Sequence, residues 1–537
     1  MGDISTAKRM VSVLAGTLIA LACGTNYAYS AWAPQFGHRL RITSTEVNFI
    51  GAAGNLGMYA SGIPLGLLTD AKGPRLTTFI GAIALGVGYY PIYSAYMHGQ
   101  GSLGVALLSF FSFLTGFGSS SAFSASIKTA ASNFPTHRGT ATAFPLAAFG
   151  LSAFFWSTIS AVIFKDDTGR FLLLLAIGTC ILNLVSIPFI KIRPPSDPYM
   201  PMPRGRSPGV ESRRLLRTKS FDLRSNPDES DLAGTQSSTA FEAPSSQEHG
   251  RSPSAASNSY SGQPTNLDET SSLVSKATPR SSRDSPAKHD ADDDDDDALS
   301  DVSPGSPHPD IRGLAMLPTV EFWQLFLTMA LLSGIGLMTI NNIGNSTKAL
   351  WRYYDDSASS KFIQQRQVMH VSVLSFGNFI GRLSSDMSRF WCLFISAVVF
   401  TLTQLAGSTI ANPTQLVVIS GFTGIAYGFL FGVFPSLVAH TFGIGGLSQN
   451  WGVMTLAPVL SGNVFNLLYG NIYDRHSVVV GDDGDRDCPD GLACYQAAYY
   501  TTFFSGVAGV IVCLWSILRE KRIHGAVLRK SEHDRLA

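Results

Sequence analysis

Long hydrophobic segments alternate with short polar turns along most of the chain. Twelve apolar runs reach or approach the roughly 20 residues that a helix needs to cross a bilayer. None alternates apolar and polar residues as a barrel strand does, and backbone polar groups in lipid must be hydrogen-bonded within the segment, so we predict helices. The predicted spans are 10–33, 47–69, 75–97, 103–128, 140–164, 170–190, 319–344, 367–387, 390–410, 413–438, 450–472 and 497–518.

A polar segment, residues 191–318, separates the first six spans from the last six. It is rich in Ser, Pro, Asp and Arg, lacks apolar periodicity and ends near an aspartate run at 292–297. Such a composition cannot bury a core, so we predict a disordered loop. The stretch "RSSRDSP" makes kinases candidate partners, and a regulatory loop and a plain tether both remain open. The predicted domains are a six-helix bundle (1–190), this loop (191–318), a second bundle (319–520) and a tail (521–537).

Composition supports an integral membrane protein. The chain is 45% hydrophobic and 14% charged, whereas soluble domains carry about 25% charged residues. The net charge of +1 and the absence of a basic surface argue against nucleic acid as a partner. No CxxC motif or Cys/His cluster suggests a metal, so we predict no metal and no cofactor.

An even number of spans places both termini on the same side of the membrane. Basic residues flank the terminal spans, which favours the cytoplasm for both termini and for the central loop: Lys8, Arg9, Arg519, Lys521 and Arg522. The plasma membrane and the vacuolar membrane are both open as locations.

The segment "GLLTDAKGPR" lies between spans two and three, and "GRLSSDMSR" (381–389) follows span eight. At Gly66 a neighbouring helix can approach closely, and the Asp70 carboxylate can accept free N–H groups at another helix's N-terminus. Gly73 permits a tight reversal, and Arg75 can pair with Asp70 or with lipid phosphate. We predict a latch between the two bundles; the alternative is a simple polar turn.

The first segment matches the pattern G-x-x-x-D-x-x-G-x-R of the major facilitator superfamily, and nearly the whole chain outside the central loop resembles that family. The resemblance implies an all-α membrane fold of two pseudo-symmetric six-helix bundles, with the latch holding the cytoplasmic gate shut. Gly381, Arg382 and Asp386 are candidates for a second-half latch. "FPTHRGTATAFPLAAFGLSAFFW" (134–156) and "FGNFIGRLSSD" also resemble the nodulin-like and fungal monocarboxylate-transporter-like branch.

Transporters of this kind bind solutes near the midplane, between the bundles, so polar residues within spans are candidates for the pathway. The alternative role for each is hydrogen bonding to a neighbouring helix. Lys128 in span four is either an anion-binding group or a lysine reaching the headgroups. The other candidates are Asn26, Tyr27, Tyr29, Asn341, Asn342, Asn345, His370, Asn378 and Asn463.

The middle portions of the spans contain no Asp or Glu. Proton coupling through His370, facilitated diffusion and exchange therefore all remain open. Monocarboxylate transporters tend to carry an arginine in span eight about one turn before the Gly-to-Asp turn. Asn378 stands near that place here, with Arg382 one turn later, so a monocarboxylate is one candidate substrate among organic solutes.

The last loop between spans contains Cys488 and Cys494 around a Pro-Asp-Gly turn. Their spacing of six residues favours a small disulfide in an oxidising compartment.

No nucleophile–base pair, P-loop or metal spacing indicates an enzyme. We predict a secondary transporter, acting as a monomer in the bilayer, that moves a small organic solute by alternating access. A monocarboxylate or another organic anion is one candidate for that solute, and the sequence does not identify the substrate. The main alternative is a sensor that keeps the fold and signals through the central loop. A membrane enzyme or lipid-moving protein is a further alternative.

Overall fold

The computed structural model describes residues 2–134, 138–165, 167–193, 311, 313–385, 389–443, 447–480 and 485–536. Asp386 and most of the predicted loop lie outside the described residues. The helices of the first half are α1 (Gly2–Cys23, continued as a 3-10 helix over Gly24–Ala31), α2 (Ala33–Leu40), α3 (Ser44–Ala60), α4 (Gly62–Lys72), α5 (Pro74–His98), α6 (Val105–Asn133), α7 (Arg138–Ile159) and α8 (Thr168–Ser186).

The second half has the same helical character. Its elements are α9 (Val320–Tyr354), α10 (Ser360–Leu383), α11 (Arg389–Gly407), α12 (Leu416–Phe442), α13 (Leu447–Met454), α14 (Leu456–His476), β1 (Val478–Val480), β2 (Asp485–Asp487) and α15 (Gln496–Leu536). The two strands pair antiparallel as a hairpin.

Ten helical stretches in the described part of the chain are long and apolar enough to cross a membrane. The other two predicted spans are helical as well. Span two is divided into α3 and α4 at Ser61, so neither piece reaches full length. Span eight is α10, whose first turns carry Lys361 and Arg366 and lower the mean hydropathy.

The two halves repeat one packing pattern. In the first half, α6 packs against α3 and α5, α5 packs against α8, and α1 packs against α7. In the second half, α12 packs against α10 and α11, α11 packs against α15, and α9 packs against α14. Equivalent spans therefore have equivalent neighbours, which confirms the predicted fold class of two pseudo-symmetric six-helix bundles. The bundles meet along two seams, α7 with α10 and α3 with α14.

Three boundaries differ from the prediction. The helix of span seven continues to Tyr354 rather than ending at 344, because the added turns carry buried side chains such as Thr347 and Leu350. The predicted tail continues α15 to Leu536. The end of the predicted loop is packed: Asn450 accepts from the Gly313 N–H and donates to the Ile311 carbonyl, each at 2.8 Å.

The helix ends that flank the central segment lie at the same end of the molecule as Asp70, which we call the Asp70 end. Ser12 of α1 donates to the Phe189 carbonyl beyond α8, and Asn133 donates to the Lys191 carbonyl. Glu321 at the start of α9 pairs there with Arg519 of α15. The opposite end carries Asp474 and the hairpin, and we call it the Asp474 end.

Candidate functional site

Arg382, near the end of α10, lies between the two bundles. The residue is 7% exposed. Nε donates to Asn378 Oδ1 at 3.0 Å on its own helix, while Nη1 lies 3.3 Å from the Leu146 carbonyl and Nη2 lies 3.5 Å from the Tyr27 hydroxyl, both in the first half. No carboxylate among the described residues pairs with it. The structure therefore places Arg382 at the bundle interface rather than at a latch on the rim.

Aromatic side chains surround this guanidinium, and we call them the aromatic cluster: Tyr27, Tyr59, Phe149, Tyr427 and Phe431. The Arg382 Cζ atom lies 5.6 Å from the Phe149 ring centroid and 5.8 Å from that of Phe431, within the range of cation–π attraction. The hydroxyls of Tyr59 and Tyr427 lie 2.7 Å apart across the bundle interface. The cluster thus joins α3, α7, α12 and the 3-10 segment after α1.

Asn378 carries an unsatisfied donor beside Arg382. The residue is fully buried, its Oδ1 accepts from Arg382, and its Nδ2 finds no hydrogen-bond partner among the described atoms. A buried amide donor without an acceptor is unfavourable by about 1–3 kcal/mol. Two kinds of donor therefore converge here, and an acceptor supplied by a bound solute would satisfy both.

The first-span candidates Asn26 and Tyr29 make contacts within their own bundle. Asn26 Nδ2 donates to the Gly54 carbonyl at 3.1 Å, and the Tyr29 hydroxyl donates to the Val47 carbonyl at 2.5 Å. Both residues line a cavity of about 10 Å³, which is room for about one water molecule. Only Tyr27 of the three first-span candidates reaches the aromatic cluster.

The asparagines of the second half form a small network inside their bundle. Asn342 Nδ2 donates to Asn466 Oδ1 at 3.0 Å, and Asn345 lies 3.4 Å from Asn342 Oδ1. Asn463 donates to the Val459 carbonyl one turn earlier in its own helix. Asn341 is buried, and its Nδ2 has no partner in the described part of the chain.

His370 is buried between α10 and α12 of the second bundle. Its Nδ1 lies 3.0 Å from the Ser420 hydroxyl, and its Nε2 has no partner among the described residues. The described contacts join it to its own bundle, so they do not bring it to Arg382.

The described polar contacts of the Asp70 turn stay within the first bundle. Asp70 Oδ1 pairs with Lys128 Nζ of α6 at 2.7 Å rather than with Arg75, which donates to the carbonyls of Ile190 and Pro188. Lys128 therefore has a carboxylate partner. The sequence predicted an anion-binding group or a lysine reaching the lipid headgroups, and neither role included this ion pair.

The glycines of this turn behave differently from one another. Gly73 has φ +84° and ends α4, which allows the reversal that the sequence predicted. Gly66 has open space where a side chain would project, so none of the described helices packs against it here.

At the Asp474 end, a carboxylate of the second bundle accepts hydrogen bonds from the first bundle. Asp474 of α14 accepts from the backbone N–H groups of Ser44 and Thr45 at 2.7 Å each, and from the Thr45 hydroxyl at 2.5 Å. These are the first N–H groups of α3, in the other half. A pocket of about 50 Å³ lies beside this contact, lined in part by Asn345 and Lys348. In the sequence, the only indication of this contact was one acidic residue just after predicted span eleven.

The hairpin loop at this end is fastened to α9. Cys488 and Cys494 form a disulfide, and neighbouring Asp487 pairs with Lys348 at 3.3 Å and with Arg352 at 3.6 Å. No cluster of three or more potential metal ligands occurs in the described residues.

Comparisons with known proteins agree with this architecture. Residues 9–205 match the family model described as Nodulin-like. An uncharacterized membrane protein of Saccharomyces cerevisiae is 27% identical over 96% of this chain and 95% of its own length. A probable transporter named mch1 of Neurospora crassa is 23% identical over 95% of this chain and 89% of its own length.

Solved structures share the fold. The nucleoside transporter NupG superimposes with a TM-score of 0.54 at 11% identity, over 94% of this chain and 98% of its own. A bacterial homologue of the human lysosomal transporter Spinster gives a TM-score of 0.54 at 12% identity, over 94% of this chain and 95% of its own. The chain therefore has the fold of these transporters, and its sequence is similar to the Nodulin-like family model over the first half and to probable transporters of fungi over most of its length, in agreement with the resemblance that the sequence predicted.

Proposed function

We propose that the chain is a secondary transporter that moves a small organic anion across its membrane by alternating access, with Arg382 binding the anionic group. The observation that carries this proposal is a buried guanidinium at the bundle interface without a carboxylate partner among the described residues. A charged side chain inside a membrane protein is unfavourable unless it is paired, and such residues commonly mark substrate pathways.

The present contacts of Arg382 across the bundle interface are long, so a stronger acceptor could replace them. Charge-assisted N–H···O bonds are typically about 2.7–2.9 Å long, whereas the Leu146 and Tyr27 contacts are 3.3 and 3.5 Å. A carboxylate replacing these two contacts would take both Nη donors, and Asn378 Nδ2 offers a further donor. The faces of Phe149 and Phe431 would then enclose the apolar part of a small substrate.

The same position suits alternating access. Arg382 and Tyr427 belong to the second half, while Tyr27, Tyr59 and Leu146 belong to the first half. A solute held here would contact both bundles, so its binding energy can stabilise a closed arrangement and couple binding to the exchange of open states. The transporters among the relatives support this class of function over a sensor that signals through the central segment.

Uptake into liposomes tests the proposal. The purified full chain is reconstituted, and a panel of labelled small mono- and dicarboxylates is compared with neutral solutes of similar size. We expect saturable uptake of at least one carboxylate, and a loss of roughly tenfold or more in Arg382→Gln, because a charged hydrogen-bonding partner is removed. Arg366→Gln is the matched control, since Arg366 lies on the same helix but stacks on Trp351 and Phe362 of its own half. Uptake of neutral solutes only, or unchanged anion uptake by Arg382→Gln, would contradict the proposal.

A further inference from the structure

The start of α3 has its first backbone N–H groups satisfied from the opposite bundle. Thr43 and Glu46 form a capping box, in which the Thr43 hydroxyl accepts from the Glu46 N–H and the Glu46 carboxylate accepts from the Thr43 N–H. The N–H groups of Ser44 and Thr45 have no acceptor within α3, and Asp474 of α14 accepts from both. The helix therefore completes its N-terminal hydrogen bonding only through the other half.

The interaction favours an anion at that place for two reasons. The N-terminus of a helix carries partial positive charge, and hydrogen bonds to a carboxylate are stronger than bonds between neutral groups. Asp474 makes three such bonds, all between 2.5 and 2.7 Å. Close approach of the backbones is possible because Gly470 stands against Thr45, where a Cβ atom would lie 2.7 Å from the Thr45 Cα.

Other polar contacts cross the bundles near this end. Gly344 donates to the Ser30 hydroxyl at 2.6 Å, Gln35 and Gln367 hydrogen-bond across the seam, and Gln364 donates to the Thr168 hydroxyl at 2.9 Å. These three contacts join neutral groups, whereas the Asp474 contact involves a charged carboxylate. Asp474 lines the pocket beside it, so water can reach the carboxylate. The hydrogen bonds between Asp474 and α3 can therefore break without leaving the carboxylate buried and unsolvated.

We propose that Asp474 is the clasp that closes the Asp474 end of the transporter, by capping α3 of the opposite bundle. When the bundles separate at this end, the carboxylate and the two N–H groups exchange their mutual bonds for bonds to water. The clasp thereby sets how long this end stays shut. The inference rests on the proposed alternating access, in which each end must open in turn.

Labelling of a buried cysteine tests the clasp without any substrate. The reporter is Ser30→Cys, because Ser30 is fully buried in the seam, in a full-length chain whose free Cys23, Cys180, Cys392 and Cys513 are replaced and whose disulfide is kept. The rate of modification by a membrane-impermeant maleimide, applied at the Asp474 end, reports opening there. We expect Asp474→Asn to accelerate labelling roughly tenfold, because a charged acceptor becomes a neutral one.

Asp167→Asn is the matched control. Asp167 also caps a helix at this end, but it accepts from Arg170 of its own helix α8 and crosses no seam. Its labelling rate should stay within about twofold of the parent, as for most surface substitutions. Thr45→Val removes only the hydroxyl bond to Asp474 and should give about threefold acceleration. This milder variant provides the same test if Asp474→Asn does not fold.

Equal labelling of parent, Asp474→Asn and Thr45→Val would overturn the clasp, as would equal acceleration by Asp167→Asn. Uptake assays on the same proteins separate this failure from failure of the proposed function. A chain that takes up anions while Asp474→Asn labels like its parent refutes the clasp alone. A chain that labels as expected but takes up no anion refutes the proposed function and leaves the clasp as the closing contact.

Discussion

Both ends of the paired bundles place an aspartate close to a helix terminus, yet the two aspartates bind different partners. Asp70 lies near the end of α4 and pairs with Lys128 of the same bundle. Asp474 lies near the end of α14 and caps α3 of the opposite bundle. One carboxylate therefore stabilises its own bundle through an ion pair, while the other joins the two bundles through hydrogen bonds to a helix N-terminus.

The glycines near each aspartate differ in the same way. Gly470 is in contact with the Thr45 backbone, whereas Gly66 faces open space. At the Asp474 end the close approach is at the glycine beside the aspartate, whereas at the Asp70 end it is at Gly452 of α13, where a Cβ atom would clash with Ile63 Cγ1 of α4. Asp474 therefore takes part in the contact between the bundles at its end of the molecule, whereas Asp70 does not.

The largest expected effect comes from filling the close approach. Gly470→Val places carbon atoms against the backbone of Thr45, which cannot move aside as a flexible side chain can. Overpacking of this kind is unfavourable by about 1–3 kcal/mol. We expect Ser30→Cys labelling at the Asp474 end to rise roughly tenfold or more and anion uptake to fall correspondingly.

Gly66→Val is the matched control at the other end, where nothing lies within 4 Å of the added atom. It creates no clash in this structure, so it should not accelerate labelling at the Asp474 end. If Gly470→Val labelled and transported like the parent, the seam between α3 and α14 would not be the closing surface.

The second prediction concerns the disulfide, which reinforces the Asp474 end. Cys488 and Cys494 are six residues apart, and closing so short a loop is worth about 2 kcal/mol on the chain-entropy account. Replacing both with serine should loosen Asp487 from Lys348 and Arg352. Hydrogen exchange in residues 487–495 should accelerate by at least about tenfold.

Cys180→Ser is the control for replacing a cysteine by serine, because Cys180 is a free cysteine in α8 of the first bundle, away from the disulfide. Unchanged exchange in residues 487–495 of the double serine variant would show that the ion pairs alone hold the loop.

A third prediction releases Asp70 from its own bundle. Lys128→Met removes the cation 2.7 Å from Asp70, so the carboxylate becomes free to accept other donors. Both groups are about a third exposed, so solvent screening limits the effect to less than about 1 kcal/mol, or about fivefold in population. We expect faster Ser30→Cys labelling at the Asp474 end, as the balance shifts towards closure of the Asp70 end.

Lys72→Met tests whether loss of any lysine at that end has the same result, since Lys72 is exposed at the end of α4. Slower labelling in Lys128→Met, or equal effects of the two variants, would show that Asp70 serves only its own bundle.

The smallest expected effect belongs to Arg75. Its guanidinium makes only long contacts, 3.3 and 3.4 Å, to carbonyls at the end of α8 in the same bundle. Arg75→Gln should change uptake and labelling by less than about twofold, because surface contacts of this kind contribute little. A large shift in labelling would mean that Arg75 acts across the bundles in another conformation.

The sequence predicted the fold well because the information is local. Apolar runs long enough to span a bilayer, and the repeated turns after spans two and eight, lie in continuous stretches. The structure confirms the two helical bundles and extends only their boundaries. Span two was predicted as one helix and is interrupted at Ser61, where Gly62 and Pro64 follow at once; proline cannot donate the i→i−4 hydrogen bond, so the local sequence did carry a signal for the break.

The partners of the charged residues were not predictable in the same way. Asp474 and Thr45 are 429 residues apart in sequence, and which face of each helix meets the other depends on the packing of the whole bundle pair. Arg382 appeared to belong to a rim turn because it follows Gly381, but its long side chain reaches Leu146 and Tyr27 in the opposite half. The physics assigned to Asp70, a carboxylate on a helix N-terminus, occurs instead at Asp474.

The most direct test of the account measures the distance between the bundles at both ends of the full chain. The method is double electron–electron resonance between pairs of spin labels, in lipid nanodiscs. Spin labels at exposed Ala71 and Gln449 report the Asp70 end, and labels at exposed Gln100 and Asp356 report the Asp474 end. We predict that Asp474→Asn shifts the Asp474-end pair towards longer distances and the Asp70-end pair towards shorter ones. Distances that stay unchanged at both ends, or that lengthen at both together, would contradict a clasp that alternates with the opposite end.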